Sequence, residues 1–253
     1  MAKEFYDKFT RRFGASGPIV ASISEYPNGE PEALFEQKLV ELSGLDKTAL
    51  DVGCGSGAFT LRMSAHFSQV VGIDSSEERI QQAQAEQNIV HNKNAVFEVQ
   101  NAGQTSFAPN SFDIVYSRRG PTDYTEYFRI LKDGGYVVVI SIGERDAWSL
   151  KQTFGRGQGF HEWKTTALAL AKKQLQDSGY SVLYEQDIRY HEYYATYADL
   201  DLFLQSVPIF EDFDSEKDKA LLETYIAAFQ TNKGIQLPRH RFIVVGQKPT
   251  IGV

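Results

Sequence analysis

The stretch Ala49-Leu-Asp-Val-Gly-Cys-Gly-Ser-Gly57 decides the fold. Ala49, Leu50 and Val52 make a short apolar run that reads as a buried strand. Three glycines follow at every second position, Gly53, Gly55 and Gly57. An apolar, helix-compatible segment comes next, with Ala58, Phe59, Leu61, Met63 and Ala65. Strand, glycine turn and helix form the first half of a nucleotide-binding βαβ unit. Glycine suits such a turn because the bend is tight and a ligand must lie against bare backbone. The helix N-terminus is expected to add unpaired N–H groups and a partial positive charge.

The glycines alone do not choose the ligand, because Gly53 to Ala58 also fits the dinucleotide pattern G-x-G-x-x-G/A. Asp51 is more informative. A carboxylate two residues before the first glycine repels a pyrophosphate and suits a cation, such as an amino group beside a sulfonium. Asp74 ends the next apolar run, Val70-Val-Gly-Ile73, where a carboxylate can accept both hydroxyls of a ribose. Together they favour S-adenosylmethionine.

Four segments in order, D-x-G-C-G-S-G at 51–57, V-V-G-I-D at 70–74, Asn110–Ser117 and Leu131–Val139, resemble the motifs of the class I S-adenosylmethionine-dependent methyltransferases. The resemblance is good over roughly residues 45–145 and loose elsewhere. It implies an α/β, Rossmann-like sheet of seven mostly parallel strands, the last antiparallel and inserted between the fifth and sixth, with helices on both faces. It also implies a cofactor cradle of Asp51, Gly53, Cys54, Gly55, Gly57, Asp74, Ser75, Asn101, Ala102 and Ser117. Asp51 is expected at the methionine amino end, Asp74 at the ribose, and Asn101 with Ala102 at the adenine. Family members often carry an acid where Asn101 stands; the amide oxygen can accept the same hydrogen bond, or the residue can simply make a turn.

With 253 residues the chain has room for one large α/β domain, and 42% hydrophobic residues are enough for an ordinary core. A net charge of −7 disfavours a broad nucleic-acid surface, leaving only a local basic groove. Cys54 is the one cysteine, which excludes an intrachain disulfide, and no His/Asp/Glu grouping has metal-ligand spacing. The N-terminal residues carry no long apolar run and no segment approaches membrane-spanning length, so the expected location is cytoplasmic.

A single domain is expected over 1–253. Residues 1–44 are read as a helical lid, with a helix over 3–13 and another from Pro31 to Ser43. The Rossmann-like core is read over 45–188 and 238–249, with a helical insert over 189–237. Ser117-Arg-Arg-Gly-Pro121 follows the fourth strand at the sheet's carboxyl edge, where ligands of open α/β sheets bind. Arg118 and Arg119 there suit a carboxylate or phosphate of a substrate or of the cofactor; they can equally pair with surface acids. Gly143–Phe160 reads as one long connection containing Gly155-Arg-Gly-Gln-Gly159, either a substrate flap or an ordered loop whose glycines only turn the chain. Tyr6, His161, His191 and Glu162 are candidate bases, and Tyr6, Arg118, Arg119 and His161 are candidate substrate contacts.

The expected reaction is in-line methyl transfer to a small-molecule acceptor. It rests on proximity, alignment and a dry site rather than on a fixed catalytic triad. Three alternatives remain at this level: a ribosomal-RNA base methyltransferase, a cofactor-binding protein without catalysis, and an NAD-dependent oxidoreductase. Asp51 argues against the last.

Overall fold

The computed structural model describes residues 13, 18 and 20–250. Tyr6 and nearly all of the helix read over 3–13 lie outside the described residues. The described part of the expected lid holds a strand, β1 (Ser22–Glu25), and a helix, α1 (Pro31–Leu42). Pro31 opens α1, where its missing N–H costs nothing, and Phe35 and Leu39 are buried.

The core alternates strands and helices: β2 (Gly44–Val52), α2 (Ala58–Met63), β3 (Phe67–Asp74), α3 (Glu77–Ile89), β4 (Ala95–Val99), β5 (Phe112–Arg118), α4 (Tyr124–Ile130) and β6 (Leu131–Ile142). Next come α5 (Trp148–Phe154), α6 (Ala167–Asp177), β7 (Ser181–Tyr194), α7 (Tyr197–Ser206), α8 (Lys219–Phe229), β8 (Gln230–Thr231) and β9 (Gly234–Gln247). Ser76 caps α3 by accepting from the Arg79 amide, with Glu77 and Glu78 in the first turn as the helix dipole favours.

The sheet has nine strands in the order β1-β7-β9-β6-β5-β2-β3-β4, with β8 paired to β9. β2, β3, β4, β5 and β6 pair in parallel. β9 lies between β6 and β7, and its direction follows from its contacts. Gly246 lies against Val137 and Lys248 bonds to Gly135, so advancing along β9 means going back along β6. That is an antiparallel last strand, as expected. β1 and β8 are additions to the seven strands read from the sequence. Each pairs antiparallel, β1 to β7 and β8 to β9.

The chain divides into two compact units. One comprises Glu30–Ile142, Ala167–Asp187 and Phe242–Val253. Its core alternates along the strands. Leu50, Val52 and Val115 join Tyr124, Tyr127 and Ile130 of α4 and Ala171 and Leu175 of α6 on one side. Residues of opposite parity, such as Tyr116, meet Phe35 of α1 and Phe59 of α2 through tilted and edge-on ring contacts. The other unit comprises Met1–Gly29, Gly143–Thr166 and Ile188–Arg241. Its core joins Leu150 and Phe154 of α5, Leu200 and Leu204 of α7 and Leu222 and Tyr225 of α8, with Phe210 stacked on Phe154 at 4.4 Å. The expected helical insert thus begins as the continuation of β7. The stretch read as one loop over 143–160 contains helix α5.

Candidate cofactor and substrate sites

The glycine turn is shaped by three left-handed backbones: Gly53 has φ 76°, Gly55 57° and Gly57 80°. A side-chain carbon on Gly57 would lie 2.6 Å from Phe97 and 2.8 Å from Ala83, so this glycine seats α2 and its neighbours against the sheet. One on Gly55 would meet only the Arg79 guanidinium, at 3.7 Å, so this side of the turn is open.

The amides of the turn are already engaged. Those of Gly53 and Cys54 both donate to the Ile73 carbonyl, at 2.8 and 3.0 Å. The Gly55 amide donates to Asp74 Oδ2 at 3.1 Å, and the Gly57 amide to the Cys54 carbonyl at 3.1 Å. A pyrophosphate cradle needs such N–H groups turned to the ligand. This turn instead presents bare backbone flanked by the carboxylates of Asp51 and Asp74. The expectation of unpaired amides concerns the start of α2, where no side chain caps Gly57; at the four turn positions the amides are engaged, and the arrangement suits a cationic ligand better than a dinucleotide.

Asp51 is buried, and its Oδ2 accepts from the Thr60 hydroxyl at 2.7 Å. Burial pushes its carboxyl from 3.8 up to about 6; the Thr60 bond and the charge of Arg118 only partly offset that. Asp51 on β2 is in register with Tyr116 on β5. The Tyr116 hydroxyl is fully buried beside that carboxylate: its interaction with Asp51 helps to hold the Asp51 carboxyl down, while burial and the Asp51 charge push the phenol up. A buried hydroxyl beside a buried carboxylate is a polar spot in an otherwise apolar layer, suited to a polar ligand group. Sequence reading missed Tyr116, because strand register is not written in an apolar run.

At the carboxyl ends of the strands lies a hollow of about 380 Å³. Gly53, Asp74, Ser75, Asn101 and Ala102 line it, together with the unpredicted Gln100, Thr122 and Asp123. Asp74 Oδ1 also accepts from the Ser76 amide at 3.0 Å, so each Asp74 oxygen keeps a lone pair for a further donor. Asn101 Oδ1 accepts from the Gly103 amide at 2.9 Å and so makes a turn; its second lone pair remains for another bond. Asp51, Cys54, Gly55, Gly57 and Ser117 do not line this hollow. Cys54 packs against Ile80, Ala83 and Phe97, and burial pushes its thiol far up. Ser117 is buried with its hydroxyl 3.2 Å from the carbonyls of Val52 and Pro121, which ties the end of β2 to the turn after β5. The bare backbone at Gly55, the flanking carboxylates and the Tyr116 hydroxyl beside Asp51 fit S-adenosylmethionine.

Arg118 and Arg119 share one acid. Glu32 of α1 lies 3.4 Å from each, and the Arg118 guanidinium covers the Phe59 ring at 4.7 Å. His161, Glu162 and His191 belong to the other unit. His161 packs on Phe160 and Trp148, and His191 pairs with Glu25 across β7 and β1.

That unit also contains a buried ionic cluster. Asp146 Oδ1 accepts from Arg239 Nε at 2.9 Å, Arg241 Nη1 at 2.6 Å and the His240 amide at 3.0 Å. Glu192 binds Arg239 and the Tyr194 hydroxyl. Burial pushes Asp146 up, but the two guanidinium charges outweigh it and hold the carboxyl well below the usual range. His240 Nδ1 accepts from the Arg145 amide at 3.1 Å. Among the described residues no cluster of His, Cys, Asp and Glu could hold a metal ion, and no helix is long and apolar enough to cross a membrane.

Comparison with known proteins bears on the family and the fold. The sequence profile of the methyltransferase domain family matches residues 45–187, more than half of the chain. The chain is 34% identical over 128 residues to a demethylmenaquinone methyltransferase of Lactococcus lactis, covering 47% of this chain and 50% of that protein. It is 31% identical over 153 residues to a phosphoethanolamine N-methyltransferase of Triticum aestivum, covering 54% of this chain and 29% of that protein. The chain thus spans half or less of these relatives' lengths. Among solved structures, the cyclase SpnF superposes with a TM-score of 0.62 at 16% identity, over 98% of this chain and 95% of that one. At that identity the likeness is one of fold, and a cyclase on the same fold means that the fold by itself does not select the reaction.

Proposed function

Because the chain belongs to the class I S-adenosylmethionine-dependent methyltransferase family, matching its domain profile over residues 45–187, we propose that it transfers a methyl group from S-adenosylmethionine to a small-molecule acceptor. The observation that carries the reading is the turn whose amides are engaged within the fold while two carboxylates flank it. That environment disfavours a phosphate ligand and favours an ammonium beside a sulfonium.

In this reading Asp51 and the Tyr116 hydroxyl hold the methionine amino end, the first as acceptor of its N–H donors and the second as a further oxygen acceptor. Gly55, open on its side-chain side, lets the ligand lie on the backbone, while Gly53 admits the close approach of Gly120 and Pro121 at the edge of the hollow. Asp74 takes the ribose hydroxyls on its spare lone pairs, and Asn101 with Ala102 seats the adenine. Bound there, the cofactor would supply an activated methyl group with its sulfur as the leaving group. The chain's own task is therefore alignment and exclusion of water, for which a general base is secondary. A small acceptor is supported by the names of the two relatives, one acting on a demethylmenaquinone and one on phosphoethanolamine, and by the net charge of −7.

Calorimetric titration with S-adenosylmethionine, S-adenosylhomocysteine and NADH tests the reading. Saturable binding of both sulfur compounds and none of NADH is the expected result. NADH binding alone would overturn it.

A further inference from the structure

A second hollow, of about 330 Å³, lies in the unit that holds none of the residues assigned above to the cofactor. Glu144, Arg145, Trp148, His161, Trp163 and Lys164 line it. The chain has two tryptophans, and both are here. A volume of this size is at the small end for a small-molecule site.

The backbone around the tryptophans is unusual. His161 has φ 61° and Ala147, next to Trp148, has φ 52°, both in the left-handed region that non-glycine residues rarely enter. Such conformations cost about 1–3 kcal/mol each and gather at ligand sites. Gly159 also has a left-handed backbone, and a side-chain carbon there would lie 2.7 Å from Trp163 Nε1. The loop therefore sets the indole of Trp163 against bare backbone, with 40% of the residue exposed.

The lining chemistry selects the ligand class. Trp148 packs on Phe160 at 5.2 Å and meets the edge of His161 at 5.5 Å, and the Arg145 guanidinium covers its ring at 4.6 Å. The cation place over Trp148 is thus filled by the protein itself. A ligand ammonium would meet the like charges of Arg145 and Lys164. Those two cations against Glu144 leave this hollow one positive charge in excess, within a chain of net charge −7. The exposed indole of Trp163 offers a flat apolar surface for stacking.

We infer that this hollow is a binding site for a small aromatic anion, its ring on Trp163 and its carboxylate or phosphate on Arg145 and Lys164. The site stands independently of the methyl-donor reading, because the two share no residue.

Intrinsic tryptophan fluorescence of the full chain without cofactor reads this site directly. The probes are benzoate and phenyl phosphate, against phenol and benzylamine as the neutral and cationic forms of the same ring. Benzoate or phenyl phosphate should change the emission saturably, with half-saturation near ~1 mM or below. Phenol and benzylamine should bind at least about tenfold more weakly. Trp163→Phe should remove most of the signal change. The double variant Arg145→Met, Lys164→Ala should bring the anions down to the level of phenol while the thermal midpoint stays put. Because these cations are exposed, anion binding should also weaken with added salt. Three results would each overturn the site: no saturable change with either anion up to ~10 mM, benzylamine binding as tightly as benzoate, or unchanged anion affinity in a folded double variant.

Discussion

One buried carboxylate should push cofactor affinity and fold stability in opposite directions as pH changes. Asp51 titrates near 6 in the fold against 3.8 for an ordinary aspartate, mainly because it is buried. For stability the sign is that of an acid whose folded pKa is raised. Its contribution is full below about pH 4 and is lost as pH rises through about 6. At 1.36 kcal/mol per unit, a rise from 3.8 to about 6 amounts to about 3 kcal/mol lost by neutral pH. For binding the sign reverses, since only the carboxylate attracts a cation. The ionised fraction of a group titrating near 6 rises about tenfold between about pH 5 and pH 7. The dissociation constant for S-adenosylmethionine should therefore fall about tenfold over that interval, while the ligand's own ammonium stays charged. Asp51→Asn removes both trends. Its affinity should be weaker and flat across the interval. Its urea-measured stability relative to the parent should improve by about 3 kcal/mol between about pH 4 and pH 7. Calorimetry at several pH values, with urea titrations alongside, measures both slopes. A flat binding profile in the parent chain, or an Asn variant that follows the parent's slope, would refute the assignment of Asp51 to the cofactor's cationic end.

The two other turn glycines separate packing from ligand approach. Gly57→Ala forces a carbon to within 2.6 Å of Phe97 at a left-handed backbone, and should cost at least about 2 kcal/mol in urea unfolding. Gly55→Ala meets only Arg79, at 3.7 Å; it should cost about 1 kcal/mol of stability yet weaken S-adenosylmethionine binding in calorimetry, and an unchanged affinity would count against backbone approach there. Asp146→Asn leaves Arg239 and Arg241 buried beside a neutral amide and should destabilise the chain by roughly 3–5 kcal/mol. Because the folded carboxyl is held below its ordinary range, the parent's share of that stability is present above the unfolded pKa and fades as pH falls through the folded one; acid titration of both chains by circular dichroism would display it.

What was legible in the sequence follows the range of the interactions concerned. The strands β2, β3, β5 and β6 were readable because each is buried on both faces and so carries a nearly continuous apolar run. Pro31 marked the start of α1 through local backbone chemistry. β1 was not readable, because Ser22-Ile-Ser-Glu25 has one apolar residue and is a strand only by pairing with the end of β7. Helix α5 was hidden for a related reason. It has seven residues and sits between left-handed Ala147 and Gly155, so composition around it suggested a loop.

The candidate sites divide along the same line. Asp51, Gly53 and Asp74 could be named because their roles depend on position within a strand–turn–helix unit, and the hollow does gather Gly53 and Asp74 with Asn101 and Ala102. Tyr116 could not, since its partner Asp51 is 65 residues away and the pairing depends on β2 lying in register beside β5. The same holds for Arg239 and Arg241. On β9 they occupy alternate positions, which looks like an exposed polar face, yet both are buried because Asp146 meets them from a segment 93 and 95 residues earlier. Charged residues in such a strand are a burial cost on their own and become tolerable only once the opposite charge is in place. A polar site of this kind is created by the fold rather than carried into it. Hence the sequence exposed the turn proposed for the cofactor, while the strand neighbour of its central acid, and the tryptophan-lined hollow assembled from residues 144–164, could be read only in three dimensions.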